Sequence, residues 1–289
     1  MSAAINSIDG VVTVTEAHGE WIPVVLDSPH SGVQYPQDFD VVAAHDVLRH
    51  GEDTYVDQLF PGPPNGAVMI AAEFPRTYID PNRPLMDLDV SMLDGPWPDA
   101  VSPSGKSAVG QGLVWTRCNN GDAIYARKLS VAEISNRIDS YWRPYRATLR
   151  MALDAAYERA GAVWHINCHS MPSLWPEGVD GAGLPVQADF LLGSRDGSTC
   201  DDAMTAVVAR TLEKRGYRVA INDRFKGVDI VQSSGDPANG RHSLQIEVVR
   251  DRYMDEATFA RTSGFMAIQQ ALGAVVQVLG EHARERCSW

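Results

Sequence analysis

Short apolar runs recur along this chain: WIPVVLD (21–27), GAVMIAA (66–72), GAVWHIN (161–167), ADFLLG (188–193), YRVAIN (217–222) and LQIEVV (244–249). Runs this short, apolar nearly throughout and bounded by polar or Gly-rich stretches, suit strands of one sheet covered on both faces. Helical patterns lie between them. The longest spans roughly 122–160, with a capping box at Ser130 and Glu133 and a kink or break expected at Pro144. A second covers about 199–215, with Met204, Val207, Val208 and Leu212 on one face and Gly216 as its stop. A third covers about 255–281 and carries Phe259, Phe265, Ile268, Leu272 and Val276. The alternation predicts a three-layer α/β/α sandwich around a mixed, mostly parallel central sheet.

With 289 residues, 44% of them hydrophobic, the chain is long enough to bury a sizeable core. No internal repeat or Ser/Gly/Pro linker divides it, so a single domain over 1–289 is expected. Segment 84–121 is the irregular part, rich in Gly, Pro, Ser and Asp with Trp97 and Trp115 embedded. So long an irregular stretch in a compact domain is usually functional or mobile, and it is expected to cover a site. The net charge of −12 argues against nucleic acid or an anionic membrane as partner, leaving room for a small anionic substrate if arginines are concentrated locally. Cys118, Cys168, Cys200 and Cys287 form no CxxC pair and read as reduced thiols. The start MSAAINSIDG lacks a basic segment followed by an apolar one, so a cytoplasmic location is expected.

Polar residues follow directly on the strand-like runs: SPHSG (28–32), EFPRTYIDPNRP (73–84) and CHSMPS (168–173). In open α/β sheets ligands bind beyond the carboxyl ends of the strands, which would bring His30, Arg76, Asn82, Arg83 and His169 to one pocket. HINCHSMPS (165–173) holds two histidines four residues apart. On a strand rising ~3.3 Å per residue they lie about 13 Å apart, too far to share a zinc with bonds of about 2 Å. His169 sits at the strand mouth, whereas His165 reads as a hydrogen-bonded core residue. Cys168 points to the opposite face, and Ser170 lacks the GxSxG elbow of a nucleophilic serine.

If His169 binds a metal, His30 is a natural partner. RHGEDTYVDQLF (49–60) offers Glu52, Asp53 and Asp57 as carboxylate ligands, although acidic residues at a helix start are commonly caps. Glu247 lies inside an apolar strand between Ile246 and Val248. Such a carboxylate is either a general base with a suitably raised pKa or half of a buried salt bridge to an arginine.

SPHSG, EDTYVDQLF, FPRTYIDPNRP, WRPYR, INCHSMPS and LQIEVVRDRYM occur in the order and approximate spacing of the N-formylglutamate amidohydrolase family. The resemblance covers roughly 20–255; that family is related to zinc carboxypeptidases and aspartoacylase-type deacylases, which implies a phosphorylase/hydrolase-like fold. It implies one zinc ion held by His30, Asp53 and His169. The HxxE pattern of the carboxypeptidases is absent, because Val33 stands third after His30, so the carboxylate comes from further along the chain. Asn82 and Arg83 resemble the anchor of a substrate carboxylate, Arg76 the arginine that polarises the scissile carbonyl, and Glu247 the glutamate that activates water and protonates the leaving amine. The implied reaction converts N-formyl-L-glutamate to formate and L-glutamate, in histidine degradation. For the second substrate carboxylate Arg117, Arg143, Arg195, Arg224 and Arg241 stand open. A different deacylase or carboxypeptidase, or an inactive ligand-binding homologue, is the alternative.

Overall fold

The computed structural model describes residues 5–17, 19–60, 66–175 and 181–287. Residues 1–4, part of the amino-terminal stretch read above for a leader, lie outside these. Among the described residues seven strands form one sheet: β1 (Val12–Thr15), β2 (Val24–Ser28), β3 (Val68–Ala72), β4 (Val163–Met171), β5 (Phe190–Gly193), β6 (Val219–Ile221) and β7 (Arg241–Val249). Their order is β1-β3-β2-β4-β7-β5-β6. β3, β2, β4 and β7 run parallel, β1 pairs antiparallel at one edge, and the parallel pair β5–β6 joins β7 antiparallel. The helices are α1 (His45–Arg49), α2 (Val56–Leu59), α3 (Gly105–Ala108), α4 (Val131–Arg137), α5 (Arg143–Ala160), α6 (Asp202–Glu213), α7 (Asp229–Ser234) and α8 (Phe265–Arg284).

Side chains alternate across the sheet, and that alternation builds two cores. Trp164, Ile166 and Cys168 of β4, with Leu244, Ile246 and Val248 of β7, pack against α6 and α8. Val25, Ile70 and Val163 face the other way, against α4, α5 and the irregular segment between β3 and α4. Helices thus cover both faces, as expected for three layers.

Three sequence expectations need correction. The long helix does not begin near 122. Ser130 accepts from Glu133 N while the Glu133 carboxylate accepts from Ser130 N, so the capping box opens the helix at Val131. Pro144 does not break it either, because a wide turn over Ile138–Trp142 precedes the proline and the Arg143 N–H reaches back five residues to Ile138 O. α8 starts at Phe265 rather than near 255, since Asp255 Oδ1 accepts from Ala257 N and Thr258 N and turns the chain first. The edge strand β1, only four residues (VTVT), was not anticipated.

Candidate active site

The parallel strands β3, β2, β4 and β7 deliver their following residues to one end of the sheet. His30 follows β2, and Gly32 lets that loop press on the backbone of Glu73 and Phe74 beyond β3, where any Cβ would collide. Asp53 joins through its own backbone, its N–H donating to His30 O at 2.9 Å. His169 lies on β4 directly opposite Glu247 on β7. His30, Asp53, His169 and Glu247 are all buried and border one cavity of about 1220 Å3, with Arg76, Asn82 and Arg83 on its wall.

His30 Nδ1, Asp53 Oδ2 and His169 Nδ1 converge: the carboxylate oxygen is 3.4 Å from the first histidine and 3.0 Å from the second. The surrounding network fixes the protons. Burial would raise the Asp80 carboxyl, but Arg76 and His30 outweigh it and hold it well below the usual range. Ionised Asp80 therefore accepts from His30 Nε2 at 2.8 Å, leaving the His30 Nδ1 lone pair buried without a hydrogen-bond partner. For His169 the assignment starts from Asp27. Burial would raise that carboxyl too, yet hydrogen bonds from His165, Asn167 and Tyr145 hold it low. Asn167 Nδ2 donates to Asp27 Oδ1, so its oxygen is the atom 2.7 Å from His169 Nε2 and must accept a proton from it. Asn82 Oδ1 accepts from Ile230 N, which turns its amide nitrogen, a donor, to 3.2 Å from the same ring atom, and the shorter contact to the Asn167 oxygen decides where the proton lies. Both imidazoles thus carry their proton on Nε2 and aim a bare Nδ1 at an anionic oxygen.

Three acceptors with no hydrogen to share call for a cation among them. All three atoms lie within 4.8 Å of one another. A tetrahedral zinc with bonds of about 2.0–2.2 Å spaces its ligand atoms roughly 3.3–3.5 Å apart, so the donor set, spacing and outer hydrogen bonds fit such an ion. Arg250 holds the other oxygen of Asp53, Nη2 to Oδ1 at 3.0 Å, and donates to Glu52 O and Ser170 Oγ. Glu52 and Asp57 stand outside the cluster: the Glu52 carboxylate accepts from Tyr35 and Arg49, and Asp57 is not among the residues that border the cavity. His165 sits deeper in β4, between Asp27 and Ser243.

Glu247 has no arginine in ion-pair contact among the described residues. Gln245 Nε2 donates to its Oε1 at 2.9 Å. Burial pushes its carboxyl up to about 7, with His169, Arg76 and Arg250 pulling it back. That is a value suited to a proton acceptor at neutral pH. Arg76 grips Asp80 through Nε and Nη2 and lies 5.1 Å from the Trp115 ring. Arg83 comes no nearer than 3.9 Å to Asp80, and its buried Nε has no partner.

Of the arginines left open for a second carboxylate, Arg117 and Arg224 border the cavity. Arg143 pairs with Asp139 on an exposed helix face, and Arg241 pairs with Asp154 over Tyr157. Arg195 donates to Gly227 O and is not on the wall. Sequence reasoning missed Asp27, Asp80, Asn167 and Arg250. Asp27, a carboxylate closing an apolar strand, carried the same signal as Glu247.

A base-like buried carboxylate beside a cation-seeking centre and a group of arginines defines, with the fold, a hydrolytic enzyme. Comparisons narrow the class. The family model described as N-formylglutamate amidohydrolase matches residues 22–254. An N-formylglutamate deformylase of Pseudomonas putida is 30% identical over 257 residues, 84% of this chain and 86% of its own. A crystal structure of an N-formylglutamate amidohydrolase from Ralstonia eutropha JMP134 is 45% identical, with a TM-score of 0.89 over 96% of this chain and 99% of that one. A gene product of Agrobacterium tumefaciens, at 18% identity and a TM-score of 0.68, shares the fold over 96% of both chains. The chain belongs to the N-formylglutamate amidohydrolase family.

Proposed function

We propose that this protein hydrolyses N-formyl-L-glutamate to formate and L-glutamate, with one zinc ion held by His30, Asp53 and His169. The observation that carries the reading is the meeting of two bare imidazole nitrogens and a carboxylate oxygen within 4.8 Å, beside Glu247. When bound there, the ion would supply Lewis-acid activation of water and of the amide carbonyl.

The chain's own residues do the rest. Glu247, with Oε1 occupied by Gln245, offers Oε2 to take a proton from the attacking water and return it to the departing amine. Arg76, fixed by Asp80, directs its remaining N–H groups at the carbonyl oxygen as charge develops; losing one such donor typically costs on the order of 10²–10³ in rate. Arg83, whose Nε makes no hydrogen bond and whose contact with Asp80 is long at 3.9 Å, takes a substrate carboxylate, aided by the amide of Asn82. The irregular segment 84–121 covers the site as a fixed wall. In support, Asp87 accepts from Ser104 and Ser107, and Leu113 N donates to Asp87 O.

We assign the reaction to histidine degradation, the usual pathway of the family it resembles, and to the cytoplasm; four free thiols support a reducing compartment. No helix among the described residues is long and apolar enough to cross a membrane. The test is formate release from N-formyl-L-glutamate, with metal analysis before and after chelation. Turnover should vanish with the metal and return when zinc is restored. Full turnover by metal-free protein would overturn the reading, as would a metal-loaded protein that releases no formate.

A further inference from the structure

The family's named substrate has two carboxylates, and Arg83 accounts for one. Lys106 stands on α3, a single helical turn fixed from below: Asp87 accepts from Ser104 N, Ser104 Oγ and Ser107 Oγ, and Ser104 Oγ in turn caps Lys106 N. The lysine is half-buried and borders the same cavity as Arg76 and Arg83. Among the described residues its ammonium has no carboxylate partner. The nearby acids are occupied, Asp80 by Arg76 and His30, Asp87 by the serines. The charges acting on Lys106 are those of Arg83 and Arg76, both positive.

A partly desolvated ammonium among like charges is costly unless an anion arrives. The other cations on the wall have partners: Arg224 lies over Trp175, Lys226 pairs with Asp196, and Arg117 donates to Gly121 O. Geometry adds a constraint. The two carboxyl carbons of glutamate are four bonds of about 1.5 Å apart, so their anchors must be near neighbours. Lys106, Arg83 and Arg76 line one cavity, and the two arginine charges act on the lysine.

We infer that Lys106 is the specificity-determining residue of this site, binding the side-chain carboxylate of a dicarboxylic N-acyl amino acid while Arg83 binds the other. The inference rests on the proposed hydrolysis for its substrate and on Lys106's own surroundings for its place. Burial and the two arginines lower the lysine's pKa, and a bound carboxylate would restore it.

The test compares N-formyl-L-glutamate with N-formyl-L-glutamine, which has nearly the same shape and no side-chain charge. In K106M the ratio of kcat/KM for the acid over the amide should fall by about 10- to 100-fold, the loss of one charge-assisted contact, and should appear mainly in KM. K106R should retain most of the preference. An unchanged ratio in K106M, or an equal loss on both substrates, overturns the inference. If the wild type releases formate from neither substrate, the proposed hydrolysis fails, and calorimetry with glutarate still decides the subsite. Glutarate should then bind wild type at least 10-fold tighter than K106M; equal binding, or none to either, refutes it.

Discussion

Glu247→Gln separates function from stability in opposite directions. The substitution keeps the shape and lets the amide oxygen accept from Gln245 as Oε1 does now. It removes the proton acceptor, so formate release should fall by about 10²–10⁴-fold, the usual contribution of a general base. It also removes a charge the fold disfavours. Burial moves this carboxyl from its ordinary 4.5 up to about 7, worth roughly 3 kcal/mol at about 1.4 kcal/mol per tenfold. For an acid raised in the folded state the penalty is absent below about 4.5, grows as pH rises to about 7, and is full above. Chelated E247Q should therefore melt several degrees above chelated wild type at pH 8, with the difference disappearing near pH 4. The assay is thermal unfolding at both pH values alongside formate release and bound zinc, which should stay near wild type. Retained turnover would refute Glu247 as the base, and unchanged melting at pH 8 would refute the buried charge.

Asp80→Asn should weaken zinc binding by about 10- to 100-fold by competition with a chelator, because His30 loses the anion that fixes its proton on Nε2. Arg250→Ala leaves buried Asp53 uncompensated and should cost about 3–5 kcal/mol in urea unfolding of chelated protein, with part regained on adding zinc. The log of kcat/KM should climb with pH and level off at or below about 7 as Glu247 loses its proton, since a bound cation stabilises the ionised form. A flat profile between pH 5 and 8 would exclude Glu247 as the titrating group. On a panel of formyl-, acetyl- and peptide-linked glutamate, the formyl compound should be cleaved fastest; preference for the peptide would favour a carboxypeptidase.

The interior strands were legible because each carries a short, mostly apolar run, as a strand covered on both faces requires, even where β4 and β7 interleave polar residues. β1 was not, since VTVT is short and half of it faces outward. The Ser130 capping box was legible, but as an internal feature of a longer helix instead of its start, whereas the start of α8 depended on hydrogen bonds at Asp255 that propensity does not report. At the site, residues at strand mouths could be read from position. Their partners could not, because they come from far along the chain: Asp80 is 50 residues from His30, and Asp27 is 138 from His165. By residue type and position alone Glu52 and Asp53 are equivalent, and the family resemblance points to Asp53. The packed structure turns Glu52 to Tyr35 and Asp53 to the two imidazoles.

The strict alternation of β4 limits how this family can change. His165, Asn167 and His169 occupy one face while Trp164, Ile166 and Cys168 fill the core on the other. Adding or deleting a single residue upstream within that strand would exchange the faces, plunging imidazoles into grease and presenting an indole to the substrate. Point substitutions can therefore tune this strand, but its length is frozen.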